Sequence, residues 1–185
     1  MKKKVSYILL IFIIVSCSKD VDSGNNFIAN NLIKIIDTAS YNKGSLIYLP
    51  NVNVKTKKKL EVHLERFISN NNKVDEIILN YLEKNKILKA KFNNLFINGK
   101  LEEFYLNSNF PKKIGRFEIN FNDKLVINQE TFAGSIEIQN LKIYENKALL
   151  VVTESFGKFG KTFIIFFQKA DNNWIMFHKD ILYQS

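Results

Sequence analysis

The chain has 185 residues, with 27 Lys and Arg against 18 Asp and Glu, a net charge of +9, and 46% hydrophobic residues. One cysteine excludes an internal disulfide framework, and two distant histidines beside that single thiol argue against a zinc site, which takes three or four ligands. The basic excess is spread along the chain, which favours a solvated lysine-rich surface over an acidic partner or an anionic membrane surface.

The first residues read MKKKVSYILLIFIIVS: Lys2, Lys3 and Lys4 precede an apolar run from Val5 to Val15, the charged and apolar regions of a secretory signal. A membrane-spanning helix takes about 20 apolar residues, and Ser16, Cys17, Ser18, Lys19 and Asp20 end this run at roughly half that. Ile14, Val15, Ser16 and Cys17 resemble the lipobox of bacterial lipoproteins. The resemblance implies cleavage between Ser16 and Cys17, a diacylglyceryl thioether on Cys17 and acylation of its new amino group. Several acyl chains together anchor a protein stably where one alone is marginal. Lys19-Asp20 with Asp22 resembles the export signals of Bacteroidetes-type surface lipoproteins. The implied location is the bacterial cell envelope, as an outer-membrane lipoprotein exposed at the surface. Loss of residues 1–16 removes three lysines and no acid, so the net charge falls from nine to six. The expected organisation is a signal peptide (1–16), the lipidated Cys17 with a flexible polar tether (17–26), and one domain (27–185) long enough to bury a core.

Within that domain, Ile28, Leu32, Ile35, Ile36 and Ala39 recur at helical spacing and predict a first helix ending near Tyr41 to Gly44. SLIYLPN reads as a short extended piece closed by Pro50. Thr56 is the expected cap of a second helix with Leu60, Leu64, Phe67 and Ile68 on its inner face, and a third carries Val74, Ile77, Ile78, Tyr81 and Leu82. Asn98-Gly99 between two apolar runs predicts a hairpin. Pro111 and Gly115 then punctuate the chain. FEINF and KLVIN flank a turn at Asn122-Asp123, and SIEIQNLKIYE, ALLVVTES, KTFIIFFQKA and WIMFHKDIL follow as strands separated by Glu145 to Lys147, FGKFG and Asp171 to Asn173. The expected fold class is α+β, with N-terminal helices packed on a curved antiparallel C-terminal sheet.

Chemistry is sparse. Gly160-Lys161-Thr162 has the end of a phosphate-binding loop, but Ser155 stands where that loop needs glycine, and a strand follows instead of a helix. His63 falls in the predicted second helix, where a surface position is expected. In the last strand, alternation places Trp174, Met176 and His178 on one face and Ile175, Phe177 and Lys179 on the other. His178 is the weak catalytic candidate, as an acid or base with Glu137, Glu154 or Asp180, and Glu137 and Glu154 on adjacent strands are placed to face one another. Glu102, Glu103, Glu118 and Glu130 are scattered, and no serine nucleophile is set beside a histidine. Phe156, Phe159, Phe163, Phe166, Phe167, Trp174 and Phe177 exceed what one face of a small core needs, so a cavity, a partner surface or a thick core must absorb them. Phe166, Trp174, Met176 and His178 are the ligand-binding candidates; no metal or cofactor is expected.

Ala148, Gly157 with Gly160, Phe163 to Gln168, Asp171 to Asn173, and Trp174-Ile175 with His178 resemble the closing strands of the nuclear-transport-factor-two-like superfamily, whose fold is a cystatin-like cone. The resemblance implies a cone whose mouth binds small apolar or amphipathic molecules, or whose open sheet face forms homodimers. The functional expectation is a lipid-anchored module that binds a small apolar ligand or a protein, with no nucleic-acid partner. The alternatives are a small hydrolase or isomerase using His178, and an immunity-type protein inhibitor.

Overall fold

The computed structural model describes residues 23–41, 60–101, 103–122 and 131–185. The lipobox with Cys17, the SLIYLPN segment, the Thr56 cap and the KLVIN strand lie outside them.

The fold is α+β, with a strongly curled, antiparallel-rich sheet. Helix α1 (residues 23–35) and the short α2 (38–41) come first, with a break at Ile36 and Asp37. Helix α1 includes residues 23–26, which were expected in the polar tether. Asn25 is buried, and its Oδ1 accepts the Asn107 N–H at 2.8 Å.

The predicted second helix is two strands, β1 (Leu60–Leu64) and β2 (Phe67–Ile68). Leu60, Val62 and Leu64 fit a period of two as well as Leu60 and Leu64 fit a helical turn, and the sheet decides between them. β1 lies between two strands and runs parallel to both. Helix α3 (Asn72–Lys84) follows as predicted, its amino end capped by Asn71, whose side chain accepts the Lys73 N–H at 3.0 Å. The hairpin expected at Asn98-Gly99 does not form. Residues Lys86–Asn98 are helix α4, and Gly99 ends it by returning its N–H to the Leu95 carbonyl at 2.9 Å.

Short strands β3 (Lys100–Leu101), β4 (Phe104–Tyr105) and β5 (Lys113–Ile114) lead into β6 (Phe117–Phe121). A meander of long strands completes the chain: β7 (Phe132–Tyr144), β8 (Lys147–Phe156), β9 (Phe159–Ala170) and β10 (Asn173–Gln184). The sheet order is β10-β9-β8-β7-β1-β6-β5, with β3 also pairing β7; β2 pairs β4 separately. The tight turns use the residues their geometry demands: Asp171 and Asn172 both take positive φ between β9 and β10, as a type I′ turn requires.

Apolar side chains pack against both faces of the sheet. On one face Phe27, Ile28, Leu32 and Ile35 of α1 meet Leu150, Val152, Phe163, Ile165 and Phe167. On the other, Val74, Ile78 and Leu82 of α3 and Leu88, Phe92 and Leu95 of α4 meet Leu149, Val151, Ile164 and Phe166. A strand covered on both sides needs an unbroken apolar run, which is why 148–152 and 163–167 show no polar alternation. This layering absorbs most of the surplus aromatics. Phe166 is fully buried with its ring 4.8 Å from that of Phe92, so truncating it to Ala should cost about 3–5 kcal/mol.

Candidate functional site

Four features of the described residues carry polar or exposed chemistry. The first is His178. The strand alternation that placed it with Trp174 and Met176 is broken by a bulge between Met176 and His178. Met176 pairs with Phe167, on the α1 side, whereas His178 pairs with Phe166, on the α3–α4 side. One inserted residue, Phe177, thus moves the side chains of residues 178–181 across the sheet, and a second register shift between Ile181 and Tyr183 moves the last ones back. The four ligand-binding candidates divide accordingly. Trp174 and Met176 pack against the α1-side core, Trp174 edge-on to Phe27 at 5.1 Å, while Phe166 and His178 lie together on the far face with rings 6.1 Å apart.

His178 Nε2 is 2.9 Å from the Tyr81 hydroxyl on α3, and that hydroxyl donates to Asp180 Oδ2 at 3.0 Å. A phenol has one proton; donating it to Asp180 leaves the oxygen to accept from His178 Nε2–H. Burial, then the hydrogen bond and charge of Asp180, push the Tyr81 phenol up to about 12. The trio ties α3 to β10, with the Nε2 proton committed to the phenol.

The second feature is Glu154 on β8, fully buried on the α1 side. It does not face Glu137: Glu154 stands opposite Ile136, and Glu137 opposite Thr153, where it bonds to Gln139 instead. Glu154 Oε1 accepts the Asp37 N–H at the α1–α2 junction at 2.7 Å, and Oε2 has no hydrogen-bond partner among the described residues. Burial pushes this carboxyl up to about 7, against the pull of the Asp37 N–H and of Lys179 and Lys161; the charge of Asp37 adds to the rise. Lys179 donates to the Ile35 carbonyl at 3.0 Å and lies over the Phe163 ring, and its burial lowers its own pKa against the opposing pull of Glu154 and Asp37. The Ser40 hydroxyl donates to Asp37 Oδ2 at 2.8 Å and accepts from Lys161 at 3.5 Å. The network clamps the end of α1 onto β8, β9 and β10.

His63 was expected at a surface and is buried instead. As a strand residue it shares a face with Glu61, whose carboxylate is 3.8 Å from Nε2, and it packs on Phe132 at 4.9 Å, with Nδ1 lacking a partner among the described residues. The helical reading of 60–68 hid this pairing, because i and i+2 share a face only in a strand.

The third feature is a cleft of about 270 Å³ where the start of α1, the end of α4 and the end of β7 converge. Phe104, Leu141 and Ile143 give it apolar walls; Lys100, Asn98, Tyr144 and Ser23 supply polar groups, and no acid is among its described lining residues. None of the sequence-predicted candidates lines it. Its residues come from five separate elements, so no local motif announces it.

The fourth is the sheet edge. β10 is the outermost strand, and Ile175, Phe177, Ile181 and Tyr183 along it are 43–54% exposed. Among the described residues no helix is long and apolar enough to cross a membrane, and no cluster of three or more His, Cys, Asp or Glu is placed to hold a metal. No protein-family model matches the chain, nor does any curated protein or solved structure.

Proposed function

We propose that this protein is an exported lipoprotein of the bacterial cell envelope, held by lipid on Cys17, whose single α+β domain works as a binding module. The observation that carries the binding role is the cleft at the start of α1: a concave site with apolar walls and a few convergent polar groups is the general form of a small-molecule site. The lipobox supports the anchor. The curled sheet with α1 against one face supports a cystatin-like cone of the nuclear-transport-factor-two-like kind. The hydrolase or isomerase alternative gains no support, because it needs His178 in a cavity beside a carboxylate, and His178 is bonded to Tyr81 away from the cleft.

The anchor is tested by replacing Cys17 with Ala. The variant should leave the membrane fraction or stay uncleaved, and should lose incorporation of a fatty-acid probe; unchanged membrane retention with no label on the wild type overturns the lipoprotein assignment. A second reading, engagement of a protein partner bearing an extended apolar segment, is favoured by the exposed apolar edge of β10. A photoreactive residue at position 181 should then cross-link one defined protein in native membranes, and an Ile175→Asp substitution should abolish the product. Diffuse cross-linking that Ile175→Asp leaves unchanged defeats this reading.

A further inference from the structure

We propose that the cleft takes an amphipathic anion, with its charged head against Lys100 and the Asn98 amide and its short apolar body against Phe104, Leu141 and Ile143. The proposal rests on the binding-module reading and adds the chemical class of the ligand.

Three observations converge. Among the described lining residues one is a lysine and none is an acid, so the charge they offer is positive. The apolar side is built closely: a Cβ at residue 24 would lie 2.6 Å from Phe104 Cζ, so only glycine lets the α1 backbone close over that ring. The volume fixes the scale. At roughly 30 Å³ per water-sized group, 270 Å³ holds about nine such groups, close to the size of an eight-carbon carboxylate and far less than a two-chain phospholipid. Position adds a source. Ser23 lines the cleft six residues after Cys17, a span of at most about 21 Å of extended chain, so a lipid-held domain keeps the cleft within reach of the membrane surface where amphiphiles gather. The same head and short tail occur in a free fatty acid in solution and in a single-chain lipid leaving the bilayer.

The test uses the full chain in phosphatidylcholine nanodiscs, a photoreactive eight-carbon carboxylate, and mapping of the labelled peptides. Label should fall on the segments holding Phe104 and Leu141 to Tyr144, and octanoate should compete about tenfold better than octanol, as a charge-assisted contact worth about 1.4 kcal/mol requires. Lys100→Glu should lower labelling at least about fivefold and Lys100→Arg should keep it within about twofold; Lys100 is exposed, so neither change threatens folding. Equal competition by octanol, label outside the cleft, or indifference to Lys100→Glu overturns the proposal. A lysophospholipid with the same photoreactive chain separates the sources: cleft label from it assigns a bilayer ligand, and cleft label from the free acid alone assigns a soluble one. Membrane retention of the Lys100 variants is scored in parallel, so failure of the anchor and failure of the ligand class are read separately.

Discussion

The side-chain amide of Asn140 pairs with the peptide group of Asn71 in both directions: Nδ2 donates to the Asn71 carbonyl at 3.0 Å, and Oδ1 accepts the Asn71 N–H at 3.1 Å. The same Nδ2 donates to Asp75 at 2.9 Å. Asn140 is fully buried, has a φ of 50° and sits in the bulge where the β7–β8 register shifts, so an irregularity in the sheet becomes the mount for the amino end of α3. Removing the amide breaks three hydrogen bonds to half-buried partners, although the Asn71 carbonyl keeps the Asp75 N–H and Asp75 keeps Lys142 at 3.7 Å. Asn140→Ala should lower stability by about 3 kcal/mol in urea unfolding, and Asn140→Gly by about 1 kcal/mol less, since glycine relieves the positive φ but restores no hydrogen bond. Equal losses in the two variants would show that backbone strain plays no part.

Glu154 makes stability depend on pH. Its carboxyl binds a proton more tightly folded, at about 7, than unfolded, near 4.5. The folded state therefore carries more protons between those values, and stability falls as pH rises from about 5 to 7, then levels off. Each tenfold change in proton affinity is worth about 1.4 kcal/mol, so the full span is on the order of 3 kcal/mol. Glu154→Gln, which keeps an acceptor for the Asp37 N–H, should flatten the dependence of the urea midpoint between pH 5.5 and 8. A variant as pH-dependent as the wild type would place the titration elsewhere.

Tyr81, His178 and Asp180 form one hydrogen-bonded unit, so their substitutions should not add. Tyr81→Phe should cost about 1 kcal/mol, and the Tyr81→Phe/Asp180→Asn double variant should show a coupling of about 0.5–1 kcal/mol, reduced by partial exposure. Additivity within about 0.3 kcal/mol would mean the contact contributes nothing to stability.

Gly134 has a φ of 153°, and a Cβ there would lie 2.2 Å from the Ser155 carbonyl oxygen and 2.8 Å from the Tyr41 ring. Tyr41 itself donates to the Ser135 carbonyl at 2.8 Å. Gly134→Ala should therefore push β7 from β8 and release Tyr41, costing about 3 kcal/mol or more. Thermal unfolding checks this, and a shift of only a degree or two would show that the strand edge yields freely.

The sequence by itself determined the elements whose signals are local. The face of α1, the period of α3, and the apolar runs and turn residues of β7 to β10 are set by neighbours within a few positions, so they could be read before folding. Three things were decided only by tertiary structure. The run from Leu60 to Ile68 satisfies both periods, and the backbone partners offered by β6 and β7 make it a strand, which buries His63. Asn98-Gly99 carries a hairpin signal, but the apolar face of α4 against β8 and β9 continues the helix to Asn98, and the same glycine serves as its end. The bulge at Phe177 moves His178 away from Trp174 and Met176, a shift that no alternation pattern reveals because it arises from the pairing of two strands. The cleft was illegible for the same reason: its lysine, amide and apolar walls come from separate elements and meet only when the sheet curls.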